Sequence, residues 1–178
     1  RRILGVLLQL KDRKAKSLLG AVIAELEKEG FHVLDSTLFL RHCVPRPGLL
    51  TPRRPPDEET GRDIAFGFPL AREIARLDIG QTLAVRKQII VAVEALEGTD
   101  KLIRRAGELA GPGVVFVKVS RPNQDMRYDV PVVGLQTIEN LVAVKAAALC
   151  LEAGRSLFFD REQAIALAEK HKISILAR

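Results

Sequence analysis

Apolar residues recur at helical spacing in "DRKAKSLLGAVIAELEKEG". Leu18, Leu19, Val22, Ile23 and Leu26 share one side there, and Gly30 supplies a stop. The pattern predicts an amphipathic helix, then the short strand "FHVLDS". Residues 45–57, "PRPGLLTPRRPPD", hold five Pro and one Gly, which excludes helix and central strand and predicts a long loop. Helix resumes over "DEETGRDIAFGFPLAREIARLDIG", with a break expected near Gly67–Pro69 and acids at its positive start.

"TLAVRKQIIVAVEAL" predicts a hairpin: Leu83–Val85, a turn at Arg86–Gln88, then Ile89–Val93. The second arm is nearly all apolar and is expected to be buried on both faces. "GTDKLIRRAGEL" predicts a helix capped by Thr99. "GPGVVFVKVS" is β-branched and reads as a strand. "YDVPVVGLQT" reads as extended. Thr137 is expected to cap a helix over "IENLVAVKAAALCLEAG", followed by the strand "RSLFF". Asp160 and Gln163 have capping-box spacing before the helix "DREQAIALAEKHK", and "ISILA" is the last strand. This alternation predicts an α/β fold: a mixed sheet with helices on both faces, in three layers.

Composition narrows the class. At 178 residues, 47% hydrophobic and 28% charged, the chain is long enough for one domain with a real core. Seven Phe, one Tyr and no Trp leave that core to Leu, Ile, Val and Ala, and offer no aromatic platform for single-stranded nucleic acid. A net charge of +6 suits an anionic partner: nucleic acid, a phosphorylated metabolite or an anionic membrane surface. Cys43 and Cys150 fit no metal-ligand spacing and suit a reducing compartment. The opening "RRILGVLLQLKDRK" faintly imitates a signal peptide but lacks a small-residue cleavage site. The first residue is not Met, and Met126 is the only one, as expected of a piece of a longer protein.

No P-loop, GxGxxG, GxSxG, HExxH or paired CxxC occurs. Neither His32 nor His171 has an obvious nucleophile near it in sequence, so a catalytic His is not expected. Three clusters remain. "LDIGQT" (77–82) reads on its own as a helix end. "VEALEGTD" (93–100) ends an apolar strand on a Gly turn, where N–H groups after Gly98 are placed to hold phosphate; it also reads as a plain N-cap turn with solvated acids. In "RPNQDMRYDVPVVG" (121–134), alternation along a strand sets Asp125, Arg127 and Asp129 on one side, about 7 Å apart in successive steps. That ladder is either a surface salt bridge or, with Lys118, Arg121 and Gln124 nearby, a site for a hard cation and phosphate. Mg2+ needs only one or two carboxylates plus water and substrate oxygens.

Taken together, "GLLTPRRPPDEETGRDIAFG", "DIGQT", "VAVEALEGTDKLIRRAG" and "KVSRPNQDMRYDVPVVGLQTIENL" resemble, in the same order, the LpxI family. These are bacterial UDP-2,3-diacylglucosamine pyrophosphatases of lipid A biosynthesis. The resemblance covers nearly the whole chain. It implies residues 1–30 as a linker or helix from an N-terminal substrate-binding domain outside this sequence, and 31–178 as the C-terminal hydrolase domain. It also implies Mg2+-dependent hydrolysis of UDP-2,3-diacylglucosamine to UMP and 2,3-diacylglucosamine 1-phosphate (lipid X).

Asp129 matches the Asp of the family's RxDxPxxG string, on which its catalysis depends, and Asp125 falls where members carry Asp or Glu. Arg121 replaces an expected Lys before Pro122 and keeps a cation there as a planar fork. On this reading Asp129 holds Mg2+ or orients water, and Asp125 is a second ligand or supporting acid. Lys118, Arg121 and Arg127 balance phosphate charge, with Gln124 beside them. Gly98, Thr99 and Asp100 shape the phosphate end, and Gln81 and Thr137 donate hydrogen bonds. The "GLLTPRR" loop with Thr51 covers the sugar or meets anionic lipid. The implied setting is cytoplasmic, with peripheral contact at the inner membrane. A homodimer is compatible with this reading, and nucleic acid is not among the implied partners. Two alternatives differ in class: a non-catalytic basic module for nucleic acid or anionic membrane, and an inactive fragment lacking its partner domain.

Overall fold

The computed structural model describes residues 15–178, with side chains from Leu18 onward. The residues 12–14 that open the first expected helix, and the signal-like run before them, lie outside the described residues. Helix α1 spans Ala15–Lys28, and Gly30 stops it at φ +88°. The expected strand "FHVLDS" is absent; residues 31–40 run as coil and turn, with Phe31, Leu34 and Phe39 exposed. Among the described residues no strand pairs with them, and a short alternating run has no hydrogen-bonded ladder without one.

The main sheet has six strands in the order β1-β8-β6-β4-β2-β3. These are β1 (Gly48–Leu49), β2 (Thr82–Arg86), β3 (Ile89–Val93), β4 (Val115–Lys118), β6 (Ala148–Leu151) and β8 (Ser174–Ala177). Strands β4, β6 and β8 are mutually parallel, while β2, β3 and β1 add antiparallel pairs, so the sheet is mixed as expected. Strands β5 (Val132–Val133) and β7 (Leu157–Phe158) form a separate parallel pair.

Alternation along the central strands splits the core in two. Val115 and Val117 face α2 (Glu58–Arg76) together with Ile64, Phe68, Ala71 and Ala75. Phe116, Leu149 and Ile175 face the other way, toward α3 (Thr99–Ala110), α4 (Leu135–Ala143) and α5 (Arg161–Lys170). Three layers result. Helix α2 is unbroken at Pro69 because that residue lies on the exposed face, where the unbonded carbonyl one turn earlier, on exposed Ala65, meets solvent. At Gly67 a Cβ would come within 2.9 Å of Val85, so glycine there lets helix and sheet approach.

Several expectations are corrected. Strand β3 is an edge strand, with Ile89 and Ile90 exposed, because β2 covers only one of its sides. Helix α4 starts after Gly134, ahead of Thr137, and ends at Ala143; Ala148–Leu151 of the expected long helix is strand β6. The Ala-Leu-Cys-Leu run has no polar side to reveal its period, and the slot between β4 and β8 takes it as a strand. Asp160 takes a left-handed conformation (φ 49°) and makes no side-chain cap. Cys150, in β6, is fully buried, and burial pushes its thiol up to about 12.

The β2–β3 turn falls at Lys87 and Gln88, with φ of 51° and 56°. Buried Asp63 of α2 receives both of their backbone N–H groups, at 2.8 and 2.6 Å. Asp63→Ala is therefore expected to lower stability by about 2–3 kcal/mol, measured by urea unfolding. An unchanged midpoint would show that the turn holds itself.

Candidate functional site

The carboxyl ends of β3, β4, β6 and β8 come to one edge of the sheet, where α/β folds place ligands. Lys118 ends β4 opposite Thr82, the first residue of β2. It alternates onto the side of Phe116, under the start of α3. Lys118 is only 7% exposed, and its Nζ donates to Thr99 Oγ1 at 2.7 Å. Thr99 Oγ1 in turn donates to Glu94 Oε1 at 2.9 Å, with Thr82 Oγ1 3.4 Å away. Burial lowers the Lys118 pKa, and the nearby Glu94 and Asp100 charges oppose that shift.

Glu94 is buried, and its Oε2 has no hydrogen-bond partner. The "DIGQT" turn closes on it: a Cβ on Gly80 would lie 1.9 Å from the Glu94 carbonyl oxygen. The N-cap of α3 is Gly98, at φ +82°, rather than Thr99; Thr99 is the first helical residue, and its hydroxyl is turned to Lys118 and Glu94. Gly98, Thr99, Asp100 and Thr137 line one cleft of about 450 Å³ with Lys101 and Arg104. Asn140 donates to Asp100 at 2.9 Å and fixes its carboxylate.

A second cluster lies just past β4. Arg121 Nε is 2.6 Å from Asp78 Oδ1, and Arg121 Nη1 is 3.6 Å from Asp129 Oδ2. The Gln124 side chain accepts from the Arg121 backbone N–H at 2.9 Å. Arg121, Gln124, Asp125, Tyr128, Asp129 and Asp78 line a cleft of about 120 Å³.

The strand ladder expected here does not form. The backbone N–H groups of Tyr128 and Asp129 both donate to the Asp125 carbonyl, at 3.2 and 2.9 Å, which winds the segment into a turn. Arg127 grips Asp125 through Nε (2.9 Å) and Nη2 (2.7 Å), one nitrogen to each carboxylate oxygen. That grip holds the Asp125 carboxyl below the usual carboxylate range and raises the Arg127 pKa. Arg127 Nη1 also donates to Glu27 of α1 at 2.6 Å. Asp125 and Arg127 thus shape the loop, while Asp129 presents a carboxylate that is 38% exposed and loosely paired.

Two sequence candidates stand apart from these clefts. Thr51 is fully buried, and its hydroxyl accepts from the Ile175 N–H at 2.8 Å, a structural bond beside β1 and β8. Gln81 accepts from Val119 N–H at 2.9 Å through its backbone carbonyl, and lines neither cleft. Asp78 and Glu94 were not singled out as site residues, though both lie in the strings that carry the resemblance, "DIGQT" and "VAVEALEGTD". Among the described residues no group of three or more His, Cys, Asp and Glu is placed to hold a metal. No described helix is long and apolar enough to cross a membrane.

Buried Lys118, the start of α3 and Arg121 thus lie at the carboxyl edge of a mixed three-layer α/β domain, the edge at which such folds place ligands. A sequence profile described as the LpxI C-terminal domain matches residues 46–176. The chain is also 34% identical over 183 aligned positions to the UDP-2,3-diacylglucosamine pyrophosphatase LpxI of Caulobacter vibrioides. That alignment covers 98% of this chain and 65% of the relative. The chain therefore belongs to the LpxI family, its residues 46–176 matching that family's C-terminal domain, and spans somewhat less than two-thirds of the curated relative's length.

Proposed function

We propose that the intact protein hydrolyses the pyrophosphate of UDP-2,3-diacylglucosamine, the substrate in the name of its Caulobacter relative. The observation that carries this reading is Asp129, loosely held beside Arg121 and Asp78 in a cleft at the sheet's carboxyl edge. Water oxygen bonds to one phosphorus as the bridging P–O bond breaks. The bridging oxygen keeps the electron pair, and the water proton passes to a base or solvent. The products are two phosphate monoesters, UMP and 2,3-diacylglucosamine 1-phosphate.

Arg121 offers a fork for phosphate oxygens. Lys118 sets a buried positive charge under the start of α3. Both act where negative charge spreads in the transition state. Asp129 orients the attacking water or holds Mg2+, and Asp78 is the neighbouring carboxylate. The donor set suits Mg2+, which takes few protein carboxylates and completes its shell with water and phosphate oxygens. Bound there, Mg2+ would supply charge neutralisation on the pyrophosphate. Asp125 is the poorer ligand, since both its oxygens are already engaged by Arg127. A diacyl substrate also favours peripheral contact with a membrane surface.

The deciding assay incubates the intact protein with UDP-2,3-diacylglucosamine and either Mg2+ or a chelator. UMP is expected with Mg2+ and is expected to vanish with the chelator. No UMP under either condition would overturn the reading.

A further inference from the structure

We propose that an arginine-lined cleft next to the Asp129 loop binds the phosphate of the nucleotide half of the substrate and of the UMP product. This rests on the pyrophosphatase reading. The cleft, about 940 Å³, adjoins the carboxyl edge of the sheet on the α2 side, and Arg72, Arg76, Arg155 and Arg178 line it. Among the described residues, the side-chain carboxylates in its lining are Glu73 and Glu152.

Those carboxylates leave much of the positive charge available. Arg76 bonds Glu73 at 2.8 Å, but Arg72 Nε is 3.8 Å from Glu152 Oε1, beyond hydrogen-bond distance. The other Glu152 oxygen accepts from Ser120 N–H at 2.8 Å. Arg72 and Arg76 are four residues apart on α2 and so share a face. Their side chains are 63% and 61% exposed, open to a ligand. Guanidinium forks on one wall match the oxygens of a phosphate monoester.

The cleft abuts the candidate catalytic cleft, and Arg76 and Pro122 line both. Arg155 bridges them: its Nη2 donates to the Arg121 and Pro122 carbonyls at 3.2 and 3.3 Å. The loop also gives the substrate a direction. Its Met126 carbonyl accepts from Ser36 N–H at 3.0 Å, in the segment that exposes Phe31, Leu34 and Phe39. Apolar surface at that end suits acyl chains, and arginines at the Pro122 end suit the nucleotide phosphate.

The test titrates UMP, and separately glucosamine 1-phosphate, into the intact protein and its Arg72→Gln/Arg76→Gln variant. UMP is expected to bind the variant about ten-fold or more weakly, with glucosamine 1-phosphate changed less than about two-fold. Thermal unfolding checks that these exposed changes leave the fold intact. Unchanged UMP affinity, or an equal loss for glucosamine 1-phosphate, overturns the assignment. Hydrolysis of UDP-2,3-diacylglucosamine by the wild type, measured alongside, separates the two ideas. No turnover removes the pyrophosphatase reading, whereas turnover with unchanged UMP affinity removes only the cleft.

Discussion

Asp129→Ala in the intact protein is expected to lower UDP-2,3-diacylglucosamine hydrolysis by about 10³-fold or more, as loss of one group acting only in the transition state does. The fold should not notice. Asp129 is 38% exposed, and its ion pair to Arg121 is 3.6 Å long. Pairs of that kind contribute about 0–1 kcal/mol. The measurement is single-turnover hydrolysis beside thermal unfolding of the same preparation. Near-normal turnover would sink the catalytic assignment. A matching loss of stability would make the residue structural.

Lys118→Met should behave differently, because this cation is buried. Hydrolysis is expected to fall by about 10²-fold through loss of a preorganised charge. Stability should also fall, by about 1–3 kcal/mol, since Thr99 loses a donor and Glu94 the cation compensating its charge. Lys118→Met/Glu94→Gln should recover much of the stability and none of the activity. Recovery of both would mean that Lys118 only supports the fold. A pH series adds a readout. Burial depresses the Lys118 pKa below the usual 10.5, so the unfolded state binds more protons between the depressed value and 10.5. Wild-type stability should therefore gain from this residue as pH rises through that window, and the Lys118→Met variant should lack the gain.

The parts of the fold legible in the sequence are those whose period could be read locally. Helix α1 shows its apolar stripe and glycine stop, and β4 and β8 are short β-branched or apolar runs after turns. The β2–β3 hairpin was legible too, although Lys87 and Gln88 take left-handed conformations that the Asp63 carboxylate supports from another element. The α4–β6 region was not legible: Ala-Leu-Cys-Leu is apolar on every side, so only its neighbours β4 and β8 decide that it is a strand.

The site divides along the same line. Sequence strings alone pointed to the family, to Asp129 and to Lys118, because those residues sit in long, specific runs. Alternation misled at Asp125, Arg127 and Asp129, since the Asp125 carbonyl gathers two N–H groups and winds the segment. What each charge meets was settled in three dimensions. Asp78 reaches Arg121, Glu27 reaches Arg127, and Glu94 reaches Lys118 through Thr99. Local pattern determines period, turns and motif identity because neighbours in sequence share backbone geometry. Pairing of charges far apart in the chain depends on strand register and on which helix start lies over which strand end, and only tertiary packing sets those.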